Sequence, residues 1–333
     1  MPAKKLDEAM MRLAIREARR GIGKTSPNPA VGAVLVCGGK VISKGWHRAA
    51  GCPHAEVEAL RKCPDASGCT LYVTLEPCST HGRTPPCTEA VIEAGISRVV
   101  YGATDPNPSH AGRAQRIFKK AGIEVSSGVM ADECRDLNTA WNKWIETGLP
   151  FVTAKFGMSL DGRIASYPGR RWITCKTARA DAMALRAGCD AILVGAETIR
   201  VDDPQLTLRG FGKRLQPWRV VWSRSGKVPS GSKILTDRFR ERTLVFKGKS
   251  LRSVLRELGR RGVQHVLIEG GGRTHGEAFD RGLVDHVVIY VAPVFLGGEI
   301  PATGGSGKPL KLEKPSYKKI GSDLRIEGFV LKD

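Results

Sequence analysis

No stretch of eighteen consecutive apolar residues occurs in the 333-residue chain, which excludes a membrane-spanning helix of ordinary length. Aromatic residues are few, at 6%, too sparse for the interleaved stacking and basic residues of a single-strand nucleic-acid groove. The first twenty residues lack an apolar block followed by small residues, so no secretory leader is expected; Leu6, Met10, Leu13 and Glu17 suit an amphipathic helix. Nine cysteines (37, 52, 63, 69, 78, 87, 134, 175 and 189) follow no framework spacing, and their odd number argues for reduced thiols in a cytoplasmic protein, a few of them binding metal. Repeats and low-complexity segments are absent, as is the G-x-G-x-x-G fingerprint.

What is present is a soluble composition with a strong positive balance. Hydrophobic residues make up 41% and charged residues 26%, and the net charge is +20. Residues 1–148 hold 20 Lys and Arg against 15 Asp and Glu, whereas 149–333 hold 33 against 18. Such an excess draws phosphorylated small molecules or nucleic acid, and it equally suits plain solvated faces; charge alone does not choose.

Strand and helix signals alternate twice along the chain. In the first half "AVGAVLVC" and "KVISKGWH" flank a Gly-Gly turn as a hairpin. "AEVEALRKC", "PPCTEAVIEAGI" and "RAQRIFKKAGI" are expected as helices, and "CTLYVTLE", "SRVVYGATD" and "EVSSGVM" as strands. "ADECRDLNTAWNKWIETG" is expected as one helix leading to a boundary near Gly148–Pro150. The alternation restarts at Phe151. "FVTAKFGMSLDGRIA" is expected as a strand and turn, "CDAILVGAETI", "RVVWSRSG", "RTLVFKG", "VQHVLIEGGG" and "VDHVVIYVAPVFLGG" as strands, "KTARADAMALRAG", "LRSVLRELGRRG" and "RTHGEAFDRGL" as helices, and "GGSGK" as a flexible loop. Two α/β domains with parallel or mixed sheets follow, divided as 1–147 and 148–333.

The chemistry concentrates in "CPHAEVEAL" and "LEPCSTHGRTPPC". His54-Ala-Glu56 opens a helix, and Cys78 and Cys87 each follow a proline, in the H-x-E…P-C…C order of zinc nucleobase deaminases. One imidazole and two thiolates fill three tetrahedral positions and leave a fourth for water, whose pKa the metal lowers. Glu56, two residues beyond His54, is placed to move protons between that water and a leaving amine. Eight residues separate the cysteines where the general pattern has two, and the insert brings His81 and Arg83 near the metal. Arg83 there either grips an anionic substrate group or stays solvated. In the second half "IEGGGRTHGEAF" puts a glycine run between a strand and a helix, suited to a phosphate and equally to a tight turn.

These words together resemble the bifunctional riboflavin-biosynthesis deaminase/reductases: "NPAVGAVLV", "HAEVEAL", "YVTLEPCSTHGRTPPCTEAVIEAGI" and "DPNP" their deaminase half, "SLDGRIA", "WIT", "DAILVGAETIRVDDPQLTLR" and "LVDHVVIYVAPVFLGG" their reductase half. The resemblance implies a cytidine-deaminase-like three-layer domain followed by a dihydrofolate-reductase-like α/β domain. His54, Cys78 and Cys87 would hold Zn2+, Glu56 would shuttle protons, and Asn28, His47, Arg83, Asp105 and Asn107 would line the deaminase pocket. NADPH would meet Gly157, Trp172, Thr198, Asp202 and the run Gly271, Gly272, Arg273, Thr274, His275, Gly276 and Glu277. Arg170, Arg186, Leu206, Arg209 and Glu269 would meet the second substrate, and Asp161 would order the pocket. The implied partner is a small phosphorylated pyrimidine, not nucleic acid or membrane, and the implied assembly is a homo-oligomer. Four departures from the family words stand out: Glu58 for a second His, Arg170 for a Ser, Trp222-Ser223 for Leu-Asp, and "AGRA" (111–114) for G-x-G.

Overall fold

The structure is a computed structural model that describes residues 3–81, 85–164, 172–211, 215–297, 300–305, 307 and 309–331. The chain forms two compact units, Met1–Gly148 and Leu149–Asp333. No helix among the described residues is long and apolar enough to cross a membrane.

Unit 1 runs α1 (Ala3–Arg19), β1 (Gly32–Cys37), β2 (Lys40–Trp46), α2 (Ala55–Leu60), β3 (Thr70–Leu75), α3 (Cys87–Glu93), β4 (Arg98–Ala103), α4 (Arg113–Lys120), β5 (Glu124–Ser127), α5 (Ala131–Asp136) and α6 (Thr139–Thr147). Its sheet has the order β2-β1-β3-β4-β5, with antiparallel pairing at β1 and parallel pairing from β3 onward. Gly38 and Gly39, both at positive φ, make the two-residue turn between β1 and β2 that a side chain would strain. Buried Val34, Leu35, Leu71, Val73, Val99 and Val100 form the sheet's share of one core with Met11, Phe118 and Trp141.

Two expectations fail here. The helix expected from Ala131 onward is two helices, because Asn138 turns its amide on Ala30, accepting from its N at 2.7 Å and donating to its O at 3.0 Å. A side chain bonded to a segment 108 residues away wins over local helix continuation. Cys37 and Cys69, expected as reduced thiols, are joined as a disulfide. The β1–β3 register pairs Val36 with Thr70, so the next two residues face each other, a proximity that sequence spacing does not reveal.

Unit 2 runs β6 (Phe151–Ser159), α7 (Lys176–Ala187), β7 (Ala191–Gly195), α8 (Ala196–Asp202), β8 (Trp218–Ser223), α9 (Lys233–Thr236), β9 (Thr243–Lys247), α10 (Leu251–Arg260), β10 (His265–Ile268), α11 (Gly272–Asp280), β11 (His286–Ala292), β12 (Leu312–Ile320) and β13 (Asp323–Val330). The eight strands order as β12-β13-β11-β6-β10-β7-β8-β9; β13 pairs antiparallel with β11 and β12, and the rest are parallel. The strand expected through Ile199 stops at Gly195, where α8 begins. The strand expected to reach Gly298 stops at Ala292. The hairpin β12–β13 has no counterpart in the expectations: β12 is exposed along nearly its whole length and so shows no hydrophobic alternation.

Candidate metal centre and nucleotide cleft

Glycine 45 sets the geometry of the first site. A Cβ built there would stand 2.1 Å from Ala55 O and 2.5 Å from Ala59 N, so α2 lies directly on β2. Ser43 Oγ donates to Ala59 O at 2.7 Å and adds a second tie. This packing holds the first turn of α2, with His54 at its N-cap and Glu56 buried behind it. The cysteines come from the end of β3 and the start of α3. The Cys87 backbone N donates to Cys78 Sγ at 3.2 Å, and Thr88 N donates to Cys78 O at 3.2 Å.

His54 Nδ1 lies 3.2 Å from Cys87 Sγ and 3.5 Å from Cys78 Sγ, and the three donor atoms sit within 4.8 Å of one another. Ordinary zinc bond lengths at tetrahedral angles put nitrogen and sulfur roughly 3.5 Å apart, so the imidazole already stands at zinc-like spacing from both sulfurs. Their protonation agrees. Hydrogen bonding from Cys87, aided by His54, brings the Cys78 thiol down to about 4 against the effect of burial. The same bond to Cys78, with burial and the Glu56 charge, pushes Cys87 up. Without a cation the pair is one thiolate and one thiol, and a divalent ion bound between them would let both ionise. Burial raises the Glu56 carboxyl, and its Oε2 has no hydrogen-bond partner, a buried polar atom that a water or substrate at a metal would satisfy. The residues fit zinc.

A cavity of about 140 Å3 opens onto these groups, lined also by Asn28, His47, Glu76, Asp105 and Trp141. His47 Nδ1 bonds Pro53 O at 3.1 Å, which leaves Nε2 to accept from Asn28 Nδ2 at 3.0 Å. Burial lowers the His47 pKa and raises that of Asp105. Asn107 is not on the cavity wall: it donates its N to Asp105 Oδ1 at 2.8 Å and accepts from Ser109 N at 3.0 Å. Arg83 lies outside the described residues. Sequence reading missed Glu76 and Trp141. Glu76 stood inside the quoted "LEPC" word, whereas nothing local marks Trp141, which arrives on α6 after the break at Asn138. The departure at Glu58 is an ion pair with Arg48 at 3.4 Å.

In unit 2 a cavity of about 180 Å3 lies beside the middle of β6 and past the C-terminal ends of β7 and β10, lined by Lys155, Gly157, Thr198, Asp202, Glu269 and Gly271. A Cβ at Gly271 would meet nothing within 4 Å, so the N-cap of the nine-residue α11 is open to a ligand. That cradle fits a nucleotide phosphate. The neighbouring glycines serve packing: a Cβ at Gly272 would stand 2.5 Å from Pro301 O, and one at Gly276 would stand 2.0 Å from Gly304 O. Gly304, in the segment expected to be flexible, thus packs on α11 and donates its N to Gly272 O at 3.0 Å.

Several expected contact residues face elsewhere. His275 is fully buried, with its ring 5.0 Å from Phe156 and Nε2 near Ile268 O, and burial lowers its pKa to about 4; it has no surface to offer a cofactor. Thr274 is also buried, Arg273 is exposed, and Glu277 pairs with Arg281. Trp172 is half exposed with the Arg179 guanidinium 4.8 Å over its ring. Arg186 clasps Glu269, with Nε to Oε1 at 2.9 Å and Nη2 to Oε2 at 2.5 Å. Burial alone would raise the Glu269 carboxyl, but the charges of Arg186 and Lys155 hold it at about 2. Leu206 is buried at φ 50° and Arg209 is exposed; Arg170 lies outside the described residues. Asp161 accepts from Leu296 N and Gly297 N, tying its turn to the loop after β11. At the Trp222-Ser223 departure, Trp222 Nε1 donates to Lys249 O at 2.8 Å and Ser223 Oγ accepts from Gly226 N.

Fold and site together define a two-part α/β enzyme, a zinc deaminase domain followed by a reductase domain. Residues 4–103 match the family described as the cytidine and deoxycytidylate deaminase zinc-binding region, and 150–326 match the RibD C-terminal domain. The chain is 38% identical to riboflavin biosynthesis protein RibD of Aquifex aeolicus, over 97% of this chain and 98% of that protein. It is 40% identical to RibD of Escherichia coli, over 88% and 89%. The solved structure of Acinetobacter baumannii RibD superposes with a TM-score of 0.92 at 36% identity, covering 99% of this chain and 100% of that one. A diaminohydroxyphosphoribosylaminopyrimidine deaminase/5-amino-6-(5-phosphoribosylamino)uracil reductase from Thermotoga maritima does so at 0.87 and 34%, covering 98% and 99%. The chain belongs to the RibD family of bifunctional riboflavin-biosynthesis enzymes.

Proposed function

We propose that this chain deaminates 2,5-diamino-6-ribosylamino-4(3H)-pyrimidinone 5′-phosphate in its first unit and reduces the ribosyl group of the product in its second, giving 5-amino-6-(5-phosphoribitylamino)uracil. The observation that carries the reading is the convergence of His54, Cys78 and Cys87 beside the buried, unpartnered Oε2 of Glu56.

His54, Cys78 and Cys87 hold the metal, and zinc when bound supplies an activated water near neutral pH. Glu56 takes a proton from the attacking water, delivers one to the ring nitrogen, and protonates the departing amine, so that the exocyclic 2-amino group leaves as ammonia and a carbonyl oxygen replaces it. Its burial suits this task, since a raised carboxyl holds a proton more readily than an ordinary one and can still return it. His47 and Asn28, locked to each other, and Asp105 present polar groups to the pyrimidine edge.

In unit 2, Gly271 and the open end of α11 receive a phosphate of the cofactor, and Gly157, Thr198 and Asp202 flank it. NADPH when bound supplies a hydride to the first carbon of the ribosyl group. Arg186 keeps Glu269 ionised and fixed at the cleft wall, where its carboxylate orients the sugar hydroxyls. The basic excess of 149–333 favours both anionic ligands. In the same reading the enzyme is cytoplasmic and homo-oligomeric, and sedimentation of the purified protein checks the assembly.

Purified protein should contain one zinc per chain, release ammonia from the diamino substrate, and oxidise NADPH when the deaminated intermediate is supplied alone. Lack of zinc in active preparations overturns the first assignment; lack of NADPH oxidation overturns the second.

A further inference from the structure

One buried carboxylate in unit 1 has work that neither the metal nor the proton shuttle accounts for. Glu76 is 4% exposed, follows β3, and stands two residues before Cys78 on the cavity wall. Its oxygens take three backbone N–H groups from the segment after the neighbouring strand β4: Oε1 accepts from Ala114 at 3.1 Å, and Oε2 accepts from Gly112 at 3.0 Å and from Asp105 at 3.4 Å. Helix α4 has no cap of its own, because Gly112 at its N-cap has no side chain and sits at φ 71°. Glu76 caps it from another strand.

We propose that Glu76 is a positioning residue for deamination: it clamps loop 105–112 to the metal-bearing segment 76–78 and so fixes Asp105 at the amino edge of the pyrimidine. This rests on the deaminase reading above. Its three bonds leave Glu76 little capacity to touch substrate, whereas Asp105 shares the cavity and gives Oδ1 to Asn107 N. An aminopyrimidine offers N–H donors along that edge, and an acceptor held rigidly opposite them selects it over a ring bearing carbonyls there. The clamp therefore acts on binding, while the reacting carbon still meets the same metal and Glu56.

Glu76→Gln keeps the size and one acceptor but aims an amide NH2 at backbone N–H groups. In the full-length protein, the deaminase KM should rise by about tenfold or more, since orphaned buried donors cost the loop its fixed position. The kcat should stay within about twofold, the signature of a change in ground-state binding. Zinc content and NADPH oxidation with supplied intermediate should not change, and the amides of Gly112 and Ala114 should exchange faster with solvent. An unchanged KM overturns the proposal. If Glu76→Gln does not fold or loses zinc, Gly112→Ala strains the same clamp from the loop side, and a KM rise with zinc and kcat kept supports it, whereas an unchanged KM overturns it. A wild-type protein that releases no ammonia overturns the deaminase reading itself; wild-type turnover with an unaffected variant overturns only the clamp.

Discussion

Gly45 of β2 and Ala55 of α2 are in backbone contact, with no room between them for a methyl group. Because His54 and Glu56 flank Ala55, the separation of strand and helix also sets how far the His54 imidazole and the Glu56 carboxyl stand from the sheet.

Gly45→Ala should therefore act on the metal site at a distance. Both neighbours closer than 3 Å, Ala55 O and Ala59 N, are backbone atoms, so the helix itself must move. A cost of about 1–3 kcal/mol to unit 1 is expected for such overpacking, together with weakened zinc binding. Thermal unfolding and metal analysis of the variant check both.

Glu56→Gln and Cys87→Ser should separate chemistry from metal binding. The first should retain zinc and lower deaminase kcat by about 10²–10⁴-fold, the usual contribution of a positioned proton carrier. The second should lose zinc and destabilise unit 1. Wild-type turnover in Glu56→Gln would reassign the proton carrier. NADPH oxidation with supplied intermediate serves as the control in both.

Removing Arg186 leaves Glu269 charged, buried and unpaired. Arg186→Leu should destabilise unit 2 by about 3–5 kcal/mol, and Arg186→Leu/Glu269→Leu should recover much of that loss. Urea unfolding of the single and double variants measures it. Equal destabilisation in both would show that packing, not the stranded charge, dominates.

Acid should weaken unit 2 through buried groups whose pKa the fold lowers, Glu269 and His275 among them. The Glu269 carboxyl is held at about 2 against an ordinary 4.5, so its contribution is complete above pH 4.5 and lost as pH falls toward 2. Burial holds His275 at about 4 against 6.5; the unfolded chain takes this proton first, and stability declines as pH falls from 6.5 to 4. His275→Met should reduce the slope of the upper window, which His265 and His286, also lowered by burial, share, and leave the lower window unchanged, read as melting temperature against pH.

Much of the first site was legible because its chemistry is local. His54 and Glu56 fall on one helical turn, and Cys78 and Cys87 each follow a proline, so residue type and order carried the metal set. The nucleotide cleft was legible only in part. Gly271 and its neighbours read alike as a glycine run, yet Gly271 faces open space while Gly272 and Gly276 receive the backbone of residues 301–304. Likewise His275 and Arg186 carry functional residue types, but one ring is sealed in the core and one guanidinium is clasped by Glu269.

The amino-acid order by itself determined the two α/β halves, the His54, Cys78 and Cys87 donor set, the Glu56 carboxyl beside it and the glycine-led turn, since each depends on residue chemistry and short-range periodicity. Tertiary structure alone decided the breaks and the clamps. The split between α5 and α6 depends on Asn138 finding Ala30, the Cys37–Cys69 bond on the β1–β3 register, and the role of Glu76 on three N–H groups from a distant loop. These are long-range hydrogen bonds and contacts, and no local pattern in the chain encodes which partner a side chain will meet.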